Sequence, residues 1–243
     1  MRRIYMNLAI DSGNTYSKIG WFDENRLVRY VTGLRFDEMV AAVSKEPGEK
    51  IIFSSVSYSP DDFRSALQLN VPVLRLSNST PMPIGVSYET PQTLGVDRLA
   101  AAAGANSLFP GSDLIVIDAG TCITYDLIDA EGVFQGGAIA PGLKMRLKAM
   151  HHFTKRLPLI EEPQEAGLIG KSTVKAMQSG AVNGMAREIE GMIGAYREQY
   201  EDARVLMCGG DVSFFESRLK LPIFAVPELV LIGLNRILQY NDV

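Results

Sequence analysis

Cysteine is scarce in this chain. Cys122 and Cys208 are the only two among 243 residues, too few for the disulfide framework of a small secreted domain. Each sits in or beside an apolar, strand-like run, so both are expected to be buried free thiols. Histidine is as rare: His151 and His152 are adjacent, not spaced along one helical face, and no Cys or His spacing spells out a metal site. No window approaches about 18 consecutive apolar residues, so no membrane-spanning helix is expected. Arg2-Arg3 resembles the start of a secretory leader, but Asn7 and Asp11 interrupt the apolar run that a leader needs. Basic charge is lacking too. A net charge of -4 argues against a nucleic-acid backbone as the main partner, since that requires a basic surface. With 47% hydrophobic and 21% charged residues, the chain reads as globular rather than disordered. A cytoplasmic protein with no membrane or nucleic-acid partner is expected.

The sequence does contain one stretch that suggests phosphate. The short apolar run Asn7-Leu8-Ala9-Ile10 leads straight into Asp11-Ser12-Gly13-Asn14-Thr15-Tyr16-Ser17-Lys18. A carboxylate at a strand end can hold a hydrated divalent cation, Gly13 lets backbone N–H groups approach an anion, and Asn14, Thr15 and Lys18 add donors. A plain hairpin turn has the same composition, but the chain repeats the pattern. Asp113-Leu114-Ile115-Val116-Ile117 leads into Asp118-Ala119-Gly120-Thr121, and one constant offset lays Ile10 on Ile117, Asp11 on Asp118 and Gly13 on Gly120. Two such hairpins facing each other would bracket a polyphosphate.

The repeat extends to element order. The first half reads as strands through Ile10, over 19–22 and 27–31, a helix bearing Phe36, Met39, Val40 and Val43, a strand Ile51-Ile52-Phe53, a helix started by Ser59-Pro60 and running to Gln68, and a strand over 71–76. A loop over 77–87, rich in serine and proline, leads to an alanine-rich helix that Pro110-Gly111 ends. The second half gives strands near 114–118, 123–128 and 133–139, a helix over 143–150, a strand at 205–208, a short helix over 213–219, a strand over 221–226 and a closing helix over 228–240. The expected fold is therefore α/β, with two duplicated domains, 1–110 and 111–243, and a cleft between them. The second carries an inserted long helix over 173–200. Its apolar stripe, Val174, Met177, Ala181, Met185, Ile189, Met192, Ile193 and Tyr196, can be covered by its own domain's sheet or by a second copy of the chain. Gly180, Gly184, Gly191 and Gly194 would permit close approach of a partner, and a homodimer is the expectation preferred.

Five motifs in order carry a family resemblance: Asp11 to Thr15 with Lys18, Gly95-Val96-Asp97-Arg98, Asp118 to Thr121, Gly136-Gly137-Ala138-Ile139-Ala140-Pro141-Gly142, and Gly170-Lys171-Ser172-Thr173. Together they resemble type III pantothenate kinases, within the actin-like superfamily of sugar kinases and Hsp70 chaperones. The resemblance implies paired actin-like (ribonuclease H-like) domains with mixed sheets and phosphorylation of pantothenate by ATP, the first step toward coenzyme A. It implies Asp97 as the base for the substrate hydroxyl. Asp11 would organise Mg²⁺ with ATP, whose contacts would be Asp11, Ser12, Gly13, Asn14, Thr15, Lys18, Thr121, Gly209 and Gly210. Tyr88, Gly95, Val96, Asp97, Arg98 and Thr173 would contact pantothenate. Asp118 would hold a monovalent cation such as K⁺ or NH₄⁺, and the functional unit would be a homodimer.

Local sequence leaves alternatives open at several of these positions. Asp118 reads equally well as a second Mg²⁺ carboxylate, Asp97 as a helix N-terminal charge, Lys18 as a solvated strand lysine, Tyr88 as a loop residue and Thr173 as a helix cap. Two rival functions also stand: a catalytically silent regulatory relative, and a kinase of another hydroxylated acid.

Overall fold

A computed structural model describes residues 6–13, 16–55, 65–67 and 71–241. Asn14, Thr15 and the Ser59-Pro60 helix start lie outside the described residues. The chain divides into two compact units, one comprising Met1–Pro110, Gly132–Phe134 and Glu228–Val243, the other Gly111–Glu131 and Gln135–Pro227.

In the first unit, β1 (Asn7–Ser12), β2 (Ser17–Asp23) and β3 (Arg26–Leu34) form a meander, followed by α1 (Phe36–Lys45), β4 (Lys50–Ser55) and β5 (Val73–Arg75). The sheet order is β3-β2-β1-β4-β5, with β1 antiparallel to β2 and parallel to β4. Leu8, Ala9 and Ile10 are all fully buried, as expected of a central strand covered on both faces. Leu8, Ile10, Ile19, Ile51 and Phe53 form one core with Met39 and Val43 of α1. The unit also holds β6 (Gly85–Val86), a 3₁₀ turn at Pro91–Thr93 and the alanine-rich α2 (Val96–Leu108).

The second unit repeats the plan. Here β7 (Leu114–Ala119), β8 (Cys122–Ile128) and β9 (Val133–Pro141) are followed by α3 (Leu143–His152), α4 (Thr173–Arg197), β10 (Arg204–Cys208), α5 (Val212–Phe215) and β11 (Phe224–Ala225). The strands run β9-β8-β7-β10-β11, the same order as in the first unit. Val133 and Phe134, which start β9 and count with the first unit, pair with β6 in parallel. The expected α/β class with two mixed sheets is what forms.

Two elements differ from the sequence reading. The closing helix α6 (Leu229–Tyr240), placed by sequence after the last strand of the second domain, belongs to the first compact unit. It lies against α2 so closely that a Cβ on Gly233 would sit 2.9 Å from the Gly104 nitrogen, and buried Asn235 donates from Nδ2 to the Glu24 carbonyl at 2.8 Å. The other is the apolar stripe of α4. Met177, Ala181, Met185, Ile189 and Ile193 are at most 5% exposed and share one core with Ile115, Ile117, Ile123 and Val205 of β7, β8 and β10. The stripe is covered by its own unit's sheet, so no partner is needed to bury it. The opposite face is open: nothing lies within 4 Å of where a Cβ would stand on Gly180, Gly184, Gly191 or Gly194.

Candidate active site

In the first unit, β1 and β2 carry the leading motif to the carboxyl end of the sheet, where ligands of open α/β folds bind. Asp11 is half-buried, opposite Lys18 in the antiparallel ladder and Ser54 in the parallel one. One step on, the buried Ser17 hydroxyl donates to the Ser12 hydroxyl at 3.0 Å, and the Gly13 N–H donates to the Tyr16 carbonyl at 3.2 Å. These bonds close the end of the strand pair, one step beyond the Asp11–Lys18 pairing.

A second group forms around α2. Gly95 is its N-cap and Asp97 stands in its first turn, exposed, its carboxylate accepting the Arg98 N–H at 2.9 Å. A negative charge there is favoured by the helix dipole, and its outward position leaves it available as a proton acceptor. Arg98 is buried and puts its guanidinium 5.6 Å from the Phe134 ring centre. Half-buried Tyr88 packs on the same ring at 6.1 Å. Tyr88 and Arg98 are thus brought to one aromatic anchor, Phe134, which is distant from both in sequence, and Asp97 is next to Arg98 in the chain. Asn78 holds the approach to α2: its Nδ2 donates to the carbonyls of Pro91 at 2.6 Å and Leu94 at 2.7 Å.

In the second unit, half-buried Asp118 lies opposite Thr124 and Cys208. The next turn is one residue shorter than its counterpart, with the Gly120 N–H donating to the Cys122 carbonyl at 2.9 Å and Thr121 exposed. Gly209, at the end of β10, is pressed against it. Its φ is +98°, and a Cβ would lie inside contact distance of the Asp118 carboxylate and the Ala119 carbonyl. Only glycine fits there, and the Asp211 N–H completes the junction by donating to the Ala119 carbonyl at 2.9 Å. Asp118 and Gly209 therefore form one surface, with Thr121 and Gly210 close to them in the chain. Asp211 is half-buried, and burial raises its carboxyl pKa while Lys144 pulls the other way.

Comparison with known proteins decides what this constellation belongs to. The family model described as type III pantothenate kinase matches residues 7–195. The chain belongs to the type III pantothenate kinase family. A relative of that name from Cytophaga hutchinsonii is 48% identical over 97% of this chain and 100% of its own length. Another from Bacteroides fragilis is 45% identical over 98% and 99%. Among solved structures, a Campylobacter jejuni protein named for the Baf family of transcriptional activators aligns with TM-score 0.63 at 22% identity, covering 97% of this chain and 98% of that one. Component A of the Acidaminococcus fermentans (R)-2-hydroxyglutaryl-CoA dehydratase aligns with TM-score 0.53 at 14% identity and 97% coverage of both. These two similarities establish the fold alone.

Within the family frame, Thr173 begins α4 and is exposed, while the cap is Ser172, whose hydroxyl accepts the Lys175 N–H at 3.3 Å. The expected alternative for Thr173, a helix cap, is thereby taken by its neighbour. Gly170 packs tightly on the backbone of Lys175 and Ala176, so the Gly170 to Thr173 motif shapes the entry of the long helix. Asn78 and Asp211 escaped sequence reading: Asn78 sits in a polar loop far from the residues it holds, and Asp211 ends the common pattern Gly-Gly-Asp. Among the described residues no cluster of three or more His, Cys, Asp or Glu is placed to hold a metal, and no helix is long and apolar enough to cross a membrane.

Proposed function

We propose that this chain phosphorylates the primary hydroxyl of pantothenate with ATP in the cytoplasm, the first step of coenzyme A biosynthesis. The observation that carries this reading is near full-length family membership combined with an acidic residue and a glycine turn at equivalent strand ends of both sheets. Asp11, Ser12, Gly13, Asn14, Thr15 and Lys18 from the first unit, with Thr121, Gly209 and Gly210 from the second, contact the nucleotide. Tyr88, Gly95, Val96, Arg98 and Thr173 contact pantothenate.

Phosphoryl transfer asks the protein chiefly for positioning and charge neutralisation. The pantothenate hydroxyl oxygen forms a bond to the γ-phosphorus as the bond to the β,γ-bridging oxygen breaks, ADP leaves with that electron pair, and the hydroxyl proton passes to the Asp97 carboxylate. The carboxylate orients the hydroxyl before it accepts the proton, and its exposed, helix-terminal position suits that task. Lys18 offsets negative charge on the phosphates. Asp11 fits a Mg²⁺ carried by the nucleotide, because that ion is commonly held by one or two carboxylates together with substrate phosphates. A Mg²⁺ held at Asp11 would neutralise charge developing on the transferred group. The Asp118 carboxylate, beside the Gly120-Thr121 turn, offers oxygen ligands of the kind that K⁺ or NH₄⁺ requires.

The functional unit is a homodimer, a reading supported by the open glycine face of α4 and by Leu168 and Ile169, which are 82% and 80% exposed just before it. Incubating the purified chain with ATP, Mg²⁺, K⁺ and pantothenate should yield the phosphorylated acid by mass spectrometry. Turnover of a different hydroxy acid in preference, or of none, would defeat the substrate reading, and sedimentation of an active monomer would defeat the dimer.

A further inference from the structure

Arg146 and Glu188 are separated by 42 positions yet form a two-pronged contact, Nη2 of Arg146 donating to both Glu188 carboxylate oxygens at 2.9 and 2.7 Å. The side chains are 21% and 30% exposed, so the pair is largely shielded. Each partner also makes a second bond. Arg146 Nε donates to the Pro141 carbonyl at 2.8 Å, and Glu188 accepts the hydroxyl of buried Tyr125 at 3.0 Å. Burial and the adjacent carboxylate push the Tyr125 pKa upward, keeping it a phenol donor. The Tyr196 hydroxyl in turn donates to the Tyr125 carbonyl at 3.1 Å.

This network converges on the turn after β7. Pro141 is followed by Gly142, whose N–H donates to the Thr121 carbonyl at 3.2 Å. A Cβ on Gly142 would stand 2.6 Å from that same carbonyl oxygen and closer still to the Gly120 oxygen. The backbone of 141–142 is therefore the floor on which the Gly120-Thr121 turn rests. Arg146 grips that floor from α3, and Glu188 fixes Arg146 from α4. We propose that Arg146 and Glu188 are positioning residues for the nucleotide-binding turn, a single unit through which the long helix sets where Thr121 presents its donors. This inference rests on the assignment of Thr121 to ATP phosphate. Arginine is required because its planar fork serves the Pro141 carbonyl and the carboxylate together, which a lysine ammonium cannot do with the same geometry.

The test measures ATP affinity by calorimetry, KM for each substrate and thermal midpoint in Arg146→Ala, Glu188→Ala, the double variant and Arg146→Lys. Displacing a binding turn by about 1 Å can cost about 10²-fold, so each alanine variant should weaken ATP binding and raise KM for ATP by roughly 10- to 100-fold. KM for pantothenate should stay within about twofold. The double variant should cost no more than either single one, as contacting residues acting as a unit do. Arg146→Lys should keep a near wild-type thermal midpoint and still raise KM for ATP several-fold. Variants that lose thermal stability but bind ATP as the wild type does, or costs that simply add, would overturn the proposal. A wild type that binds ATP without phosphorylating pantothenate would defeat the substrate reading alone, and the ATP affinities of the variants would still decide this one.

Discussion

Replacing Gly209 with alanine, beside Gly210→Ala as its control, tests whether the end of β10 is shaped by contact with Asp118. At Gly209 φ is +98°, and an added Cβ would stand 2.6 Å from the Ala119 carbonyl carbon, with the Asp118 carboxylate closer still, where ordinary contact begins at 3.4 Å. The neighbours are backbone and a fixed side chain, so relief requires moving a strand end by the order of 1 Å. Left-handed backbone costs an alanine roughly 1–2 kcal/mol, and overpacking adds about 1–3 kcal/mol. For a protein of this size that corresponds to a fall in thermal midpoint of roughly 5–15 °C. KM for ATP should rise about 10-fold or more, since Asp118 and Thr121 share the disturbed junction. At Gly210 nothing lies within 4 Å and φ is not positive, so alanine there should stay within about 0.5 kcal/mol of wild type. Thermal denaturation and initial rates at varied ATP provide both readouts. If the two variants lose the same stability, the close packing of Gly209 on Asp118 is not what shapes the end of β10.

Three further outcomes follow from particular residues. Activity should require K⁺ or NH₄⁺ in addition to Mg²⁺, and Asp118→Ala should flatten that dependence while weakening ATP binding; equal rates in sodium-only and potassium buffers would remove the cation assignment. Asp211 has a carboxyl pKa raised by burial, so its ionised form costs stability. That cost is absent below the unfolded-state value of 3.8, grows as pH rises through the folded value and is full above it. Because Asp211 makes no side-chain cap bond, Asp211→Asn should raise the thermal midpoint of the ligand-free protein at pH 7–8, and the gain should vanish toward pH 4; a gain independent of pH would show another cause. Met185→Glu puts a charge at a fully buried position of the second core and should abolish folding of that unit by circular dichroism, whereas a soluble, folded variant would show that the stripe faces outward.

The duplication was legible because strand period and turn chemistry are local: Asp11-x-Gly13 and Asp118-x-Gly120 follow apolar runs, and both sheets then assemble in the same order. Legibility ended where contacts are remote. The stripe of α4 announces a buried face without saying what buries it, and the answer lies in Ile115, Ile117 and Val205 of distant strands. The closing helix has buried residues on several faces, Leu229, Val230, Leu231, Leu234, Ile237 and Leu238, so its sequence does not choose between units. Its close approach to α2 at Gly104 and Gly233 does. Asn78 and the Arg146–Glu188 pair hold the site through bonds that span 13 to 42 positions, and no local pattern marks such residues.

The central assignment is that Asp97 receives the proton of the pantothenate hydroxyl. Asp97→Asn keeps the shape and the helix start but cannot accept that proton, and loss of a positioned base typically lowers the rate about 10²–10⁴-fold. Rates of ADP release with saturating ATP and pantothenate, measured beside ATP affinity by calorimetry, give the most direct test. The expected result is a variant that binds ATP nearly as the wild type does and turns over at least about 100-fold more slowly. A variant retaining more than about half the wild-type rate would show that Asp97 is not the base.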